Sequence, residues 1–162
     1  MELKRFEESQ TAVVAGWASS TQEVALLCGR EEFPFPAELV GGWRKVADDI
    51  SAYLYFDGAE PVGYGELWLD DEEDEVELAR IIVAPSLRGR GIGTAFVQAL
   101  LQPALAAGYA DVFLRVRPDN ERAIKTYLRV GFQPVDAQLA AEWNEPQPID
   151  YTWLQYPTKK QE

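Results

Sequence analysis

Between Glu75 and Leu100 the sequence passes from a strand, through a glycine-rich loop, directly into an amphipathic helix. This junction constrains the fold more than any other segment. Glu75 to Val83 reads as a strand, and Gly89, Gly91 and Gly93 then stand at alternate positions in the loop, with Arg88 just before the first and Arg90 between the first two. Ile92, Ala95, Phe96, Ala99 and Leu100 recur at i, i+3, i+4, i+7 and i+8, the spacing of one buried helical face. Glycines let backbone N–H groups turn inward and approach an anion closely, and a helix N-terminus adds partial positive charge. Physically the segment is a cradle for a pyrophosphate. It lacks the Gly-Lys-Ser/Thr of a P-loop and the Gly-x-Gly-x-x-Gly of a dinucleotide fold, so a nucleotide-binding α/β domain is disfavoured. A turn that merely reverses the chain is the plain alternative.

The flanking segments supply an element order. Ser9–Trp17 and Thr21–Leu27 read as short helices, the second capped by Ser20 or Thr21, and Ala37–Val46 as a third after the proline-broken loop at 31–36. Ser51–Phe56 ends at Asp57-Gly58, a hairpin signal, and Pro61–Leu69 pairs back. The acidic run Asp70–Asp74 is the next turn before Glu75. After the central helix, which Pro103 should kink and Gly108 should stop, Val112, Leu114 and Val116 alternate as a strand. Asn120 or Asp119 then caps a helix bearing Ala123, Ile124, Tyr127 and Leu128, which ends at Gly131. Phe132–Leu139 and Asp150–Gln155 read as closing strands. The order implies an α/β chain with a mixed sheet and helices on its faces, within one domain over 1–162.

Composition narrows the chemistry. Of 162 residues none is histidine and one, Cys28, is cysteine, which excludes His-based triads, His metal sites, multi-cysteine metal clusters and internal disulfides. No metal is therefore expected. The net charge of −12 opposes nucleic acid and favours a cationic ligand, although acidity also serves solubility alone. The polar start Met1–Glu8 lacks the apolar stretch of a signal peptide, and no apolar run approaches a membrane span. A soluble, cytoplasmic protein is the expectation.

A second segment sharpens the first. Asn120, Ala123, Tyr127, Gly131 and Phe132 resemble the Asn-x-x-Ala-x-x-x-Tyr-x-x-x-Gly-Phe stretch of the GNAT superfamily of N-acetyltransferases. Arg88, Gly91 and Gly93, preceded by Val83-Ala84-Pro85, resemble that family's coenzyme motif, Arg/Gln-x-x-Gly-x-Gly/Ala. The likeness is close over Glu75–Val135 and extends elsewhere only as element order. It implies a GNAT-like fold: a central, mostly antiparallel twisted sheet, splayed between its fourth and fifth strands, here Glu75–Val83 and Val112–Arg117, with helices on both faces. It implies acetyl-CoA as co-substrate, with the pantetheine arm against the backbone of Ile81, Ile82 and Val83. The pyrophosphate would meet Arg88, Gly89, Arg90, Gly91, Ile92, Gly93 and Thr94. Asn120, Ala123 and Tyr127 would complete the coenzyme contacts, with Arg122 or Lys125 near outer phosphates or simply solvated. Dimers are frequent among relatives.

The implied reaction is attack of a neutral amine, of a small molecule or a peptide, on the acetyl thioester. By the resemblance, the N–H of Val83 stabilises the oxyanion and Tyr127 serves the departing thiolate as general acid. Glu77 stands eleven residues before Arg88, where histone-type members carry a catalytic Glu. Arg115 stands where members acting on protein N-termini carry another. Glu77, Glu66 and a water chain remain open as the base, and both glutamates could equally be solvent-facing. Glu31, Glu32, Phe33, Phe35, Trp43 and Trp143 could line an acidic, aromatic acceptor pocket or be core. Cys28, with no histidine to activate it, reads as a small apolar residue. The rival is a non-catalytic CoA-binding or sensing module with the same cradle.

Overall fold

Apolar residues of this chain alternate along its strands and recur on one face of its long helices, and the structure buries both sets against each other. A computed structural model describes residues 1–30, 32–43 and 49–158. Seven strands, β1 (Glu2–Arg5), β2 (Ile50–Asp57), β3 (Glu60–Asp70), β4 (Glu75–Val83), β5 (Asp111–Val116), β6 (Gln133–Pro134) and β7 (Thr152–Tyr156), form one sheet in the order β1-β2-β3-β4-β5-β7-β6. Only β4 and β5 run parallel; the other neighbours are antiparallel. Helices α1 (Thr11–Gly16), α2 (Thr21–Cys28) and α3 (Ala37–Trp43) pack on one face, around Val14, Val24, Val40, Trp43 and Tyr64. Helices α4 (Ile92–Ala106) and α5 (Glu121–Val130) cover the other, around Phe96, Leu100, Leu114, Tyr127 and Phe132.

Most sequence expectations hold at the level of elements. Ser20 caps α2, its Oγ accepting the Glu23 N–H at 3.1 Å, and Asn120 caps α5. α4 runs through Pro103 to Ala106. The third helix is described only to Trp43; residues 44–46 of the expected span, and Glu31, lie outside the described residues.

One expectation changes. Phe132–Leu139 is not a strand throughout: Gln133–Pro134 pair with β7, the Val135 N–H bonds Trp153 O at 3.2 Å, and Ala137–Asn144 form α6. The cause is local. Asp136 caps the helix by accepting the Leu139 N–H at 2.9 Å, and the alanine-rich run that follows has high helix propensity. Asn144 at its end accepts from the Tyr151 N–H at 2.9 Å and the Trp153 Nε1–H at 2.7 Å, anchoring α6 to the start of β7. The structure also adds β1, to which the sequence reading assigned no element: its charged residues give no apolar alternation, and it forms because β2 offers it an edge.

Close approach of α4 to the sheet depends on two glycines of β3. A Cβ on Gly63 would lie 2.8 Å from Phe96 Cδ2, and one on Gly65 would lie 3.0 Å from Leu100 and 3.1 Å from Phe96. Phe96 is fully buried and cannot swing away without displacing its neighbours. Gly63→Ala is expected to destabilise the fold by about 1–3 kcal/mol through overpacking. Urea denaturation checks this; an unchanged midpoint would show that Phe96 repacks freely.

Candidate active site

The backbone ladder between β4 and β5 stops early. The strands pair at Glu75–Asp111, Val76–Val112 and Glu77–Phe113 and no further. Past that point β4 stays with β3 as far as Val83, and β5 stays with β7 as far as Val116, so the sheet opens between them. A bulge shapes the β4 side. Between the pairs Tyr64–Ile82 and Glu66–Ala79, Gly65 of β3 faces both Arg80 and Ile81 of β4, and Arg80 takes φ 49°, a left-handed backbone that only a firm surrounding holds in a non-glycine residue. The Ala84 N–H bonds Val62 O at 2.9 Å. Main-chain groups alternate sides along a strand, so those of Val83 turn towards the gap.

The glycine loop sits at the open end of β4. Gly89 (φ 80°) and Gly91 (φ 79°) are left-handed, and a Cβ on either would meet nothing within 4 Å, so backbone conformation rather than space demands glycine there. Gly91 is the N-cap of α4 without any side-chain cap, and the first helical bond runs from the Ala95 N–H to Gly91 O. The amides of Ile92, Gly93 and Thr94 therefore lack helical acceptors and point out of the helix end.

Arg88 is committed elsewhere. Its Nε donates to Val83 O at 3.1 Å, its Nη2 to Trp17 O at 3.2 Å, and its Nη1 pairs with Glu23. Its own N–H bonds Pro85 O at 3.4 Å. The guanidinium thus ties the loop and the end of β4 to α1 and α2. Arg90, Arg122 and Lys125 are exposed. Asn120 Oδ1 accepts the Ala123 N–H at 3.4 Å.

Tyr127 is buried against Phe132, with ring centroids 6.1 Å apart, and burial pushes its phenol well above the usual pKa. On the opposite face, Glu66 is fully buried; its carboxylate accepts from Tyr64 Oη (2.6 Å), Trp68 Nε1 (2.8 Å) and Arg80 Nη1 (3.0 Å). The Arg80 guanidinium lies over the rings of Trp43 and Trp68 at 4.6 and 5.0 Å. Glu77, also buried, accepts from Arg115 Nε (2.7 Å) and Nη2 (2.9 Å). That hydrogen bonding holds the Arg115 pKa above its usual value against desolvation. A cavity of about 410 Å³ on this face is walled by Asp49, Asp70, Glu75, Glu77, Arg80 and Arg115, with Trp68 and Phe113 among its apolar lining. A second, of about 350 Å³, shares Arg80 in its lining and reaches Cys28, Glu38 and Trp43.

A profile described as the acetyltransferase (GNAT) family matches residues 17–132. The chain belongs to this family. An uncharacterized N-acetyltransferase of Methanocaldococcus jannaschii is 34% identical over 96 residues, covering 56% of this chain and 42% of that protein. The mycothiol acetyltransferase of Gordonia bronchialis is 34% identical over 104 residues, covering 57% of this chain and 34% of its own length. The chain thus spans well under half the length of these curated relatives. In fold it resembles the aminoglycoside acetyltransferase AAC(6')-Ib solved with coenzyme A and kanamycin (TM-score 0.75, 18% identity, 98% of this chain and 95% of that one). It also resembles a variant of the spermidine N-acetyltransferase SpeG from Vibrio cholerae (TM-score 0.72, 17% identity, 97% and 95%).

Within this GNAT frame, the residues named from sequence fall on two sides of one gap. Ile81, Ile82, Val83, the loop 88–94, Asn120, Ala123 and Tyr127 lie at β4, the loop and α5; Glu66 and Glu77 lie on the face away from α4 and α5. Of the two readings of the early and late aromatics, pocket or core, the described residues favour core. Glu32 and Phe33 are exposed, Phe35 and Trp43 stack in the core with centroids 5.6 Å apart, and Trp143 packs on Phe113 at 5.5 Å. Cys28 is half-buried, donates to Val24 O at 3.5 Å, and has its thiol pKa raised by desolvation, as suits a packing residue. Sequence reading missed Arg80, Asp49, Glu75 and Glu23. One signal for Arg80 was present: the core-facing residues Val76, Leu78, Ile81 and Val83 break step by one residue between 78 and 81, which marks the bulge.

The Glu23–Arg88 pair gives a pH prediction. Desolvation raises the Glu23 pKa, but hydrogen bonds from Ser19 and Arg88 and the Arg88 charge outweigh it, leaving it below the usual 4.5. A carboxylate with a depressed folded pKa contributes stability that is complete above the unfolded value and lost as pH falls through the folded one. The stability gap between the unsubstituted protein and Glu23→Gln should therefore be constant at neutral pH and close as pH drops below 4.5. Thermal melts across that range check it; a gap persisting in acid would assign the effect to packing.

Proposed function

We propose that the protein is an acetyl-CoA-dependent N-acetyltransferase that passes the acetyl group to a primary amine of a small molecule or peptide by direct attack. The observation that carries this reading is the opening beyond Glu77, with unpaired strand backbone on one side and uncapped helix amides at its mouth. Those features fit an acyl-CoA. The amides of Ile92, Gly93 and Thr94, with Gly89 and Gly91 in left-handed conformations, would hold the pyrophosphate. Arg90 is free to add charge there, whereas the role of Arg88 in binding is to shape the loop. Ile81, Ile82 and Val83 would line the pantetheine arm, with Asn120 and Ala123 at the start of α5 beside it. Acetyl-CoA supplies the activated thioester carbonyl.

The chain's own residues then meet three demands. The Val83 N–H, turned towards the gap, would donate to the developing oxyanion. Tyr127 would donate to the departing thiolate. Because burial raises its pKa, Tyr127 stays neutral across the assay range and full proton transfer to a thiolate becomes more uphill; a strong hydrogen bond is the better description. An alkylamine, with pKa about 10, arrives protonated and must lose a proton. Both Glu77 oxygens are engaged by Arg115, and those of Glu66 by Arg80 with Trp68 and by Tyr64, so the proton would leave through water in the carboxylate-lined cavity. That cavity is also the proposed acceptor entrance, and its charge suits a cationic amine.

Calorimetry should show saturable binding of acetyl-CoA, and free thiol should appear with at least one member of a panel of polyamines, amino acids, aminoglycosides and peptide N-termini. Binding with no thiol release from any acceptor would identify a sensing module instead. Tyr127→Phe is expected to lower kcat by about a hundredfold with little change in acetyl-CoA affinity. Full kcat in that variant, at every pH tested, would remove Tyr127 from the chemistry.

A further inference from the structure

The two halves of the sheet are each well paired, yet only three backbone registers join them. At the last of these, Glu77–Phe113, the Glu77 side chain of β4 reaches on to Arg115, two residues further along β5, and is gripped through both carboxylate oxygens, at 2.7 and 2.9 Å. Arg115 is itself fixed to the β5–β7 half. Its guanidinium lies over Trp153 at 4.9 Å and Tyr151 at 5.7 Å, and its Nη1 donates to Gln147 Oε1 at 3.0 Å. Glu77 belongs as firmly to the other half, since β4 pairs with β3 on both sides of it, at Val76–Leu69 and Leu78–Leu67. The pair is shielded, with the Glu77 side chain 7% exposed. A bidentate guanidinium–carboxylate contact fixes both distance and plane.

We propose that Glu77 and Arg115 are positioning residues: a charged clasp that ends the β4–β5 junction, sets the width of the opening beyond it, and thereby aligns the Val83 amide with the thioester. The inference rests on the acetyl-transfer reading. It assigns Glu77 a mechanical role in place of proton abstraction, and it gives Arg115 an equal share in that role.

A mutant cycle tests it with Glu77→Gln, Arg115→Met, which keeps an apolar stem on Trp153, and the double variant. Each single change should lower kcat/KM about tenfold or more, because small displacements of reacting groups are costly. Acetyl-CoA KM should rise in both, the limbs of the pH profile should keep their pKa values, and the double variant should be no worse than the poorer single one. Arg115→Lys, which keeps the charge and loses the fork, should fall between and covers the case in which a harsher variant does not fold. Loss of the acidic limb in Glu77→Gln alone, with Arg115→Met near full activity, would overturn the clasp and restore Glu77 as a base. Hydrogen exchange separates this from failure of the functional reading. Amides of Leu78 and Val112–Leu114 should exchange faster in Glu77→Gln whether or not the protein turns over; unchanged protection there would also overturn it.

Discussion

Everything at the site depends on a shortage of backbone pairing. A sheet gains stability from each ladder bond it makes, and unpaired strand edges are a liability in any protein. Here two strands lie parallel, pair at three registers and then part. The opening survives because the apolar layer beneath it does not part. Val76 and Leu78 of β4 and Val112, Leu114 and Val116 of β5 share one buried cluster with Phe96 and Leu100 of α4 and Tyr127 of α5. Hydrophobic burial holds together what hydrogen bonds do not, and leaves main-chain groups of β4 available for another use.

The bulge at Arg80 has a second consequence. An extra residue in β4 rephases the strand, so Val76 and Leu78 before it, and Ile81 and Val83 after it, face the same core. Arg80 is driven to the opposite face in a left-handed backbone, where Trp43, Trp68 and the buried Glu66 receive it. The strain of that conformation is offset by a complete set of contacts. Substituting any one of them would leave either a buried carboxylate unpaired or a guanidinium unsupported, both costly inside a protein.

Much of this was legible in the sequence where one local rule decides the outcome. The glycines at 89 and 91 and the helical spacing from Ile92 announced the loop and α4, and the two linked motifs pointed to the family. The sequence is silent where a partner decides. The charged β1 forms only because β2 presents an edge, and pairing choices of that kind leave no periodic trace. The bonds of Arg88 to Trp17 and Glu23 were equally invisible, since those residues lie more than sixty positions away in sequence. The α6 region differs, since Asp136 followed by alanines states a helix start in local terms, inside the span that reads as a strand from Phe132 to Leu139.

Charge compensation at the cavity bears on the acceptor. Arg80 is matched by Glu66 and Arg115 by Glu77, which leaves Asp49, Asp70 and Glu75 without an ion pair among the described residues. Desolvation first, and then the neighbouring carboxylates Asp70, Asp111, Glu73 and Glu77, raise the Glu75 pKa, and the carboxylates make the local field negative. Such a field attracts a protonated amine and, by the same sign, makes that amine harder to deprotonate. An enzyme cannot gain from both effects at one nitrogen. Under the proposed acetyl-transfer reading the conflict would disappear if the carboxylates held a cationic group that does not react, while the attacking nitrogen sat towards the two neutralised arginine pairs. On that proposal, an acceptor carrying a second positive charge, set apart from its reacting amine, would suit the charge pattern better than a simple monoamine.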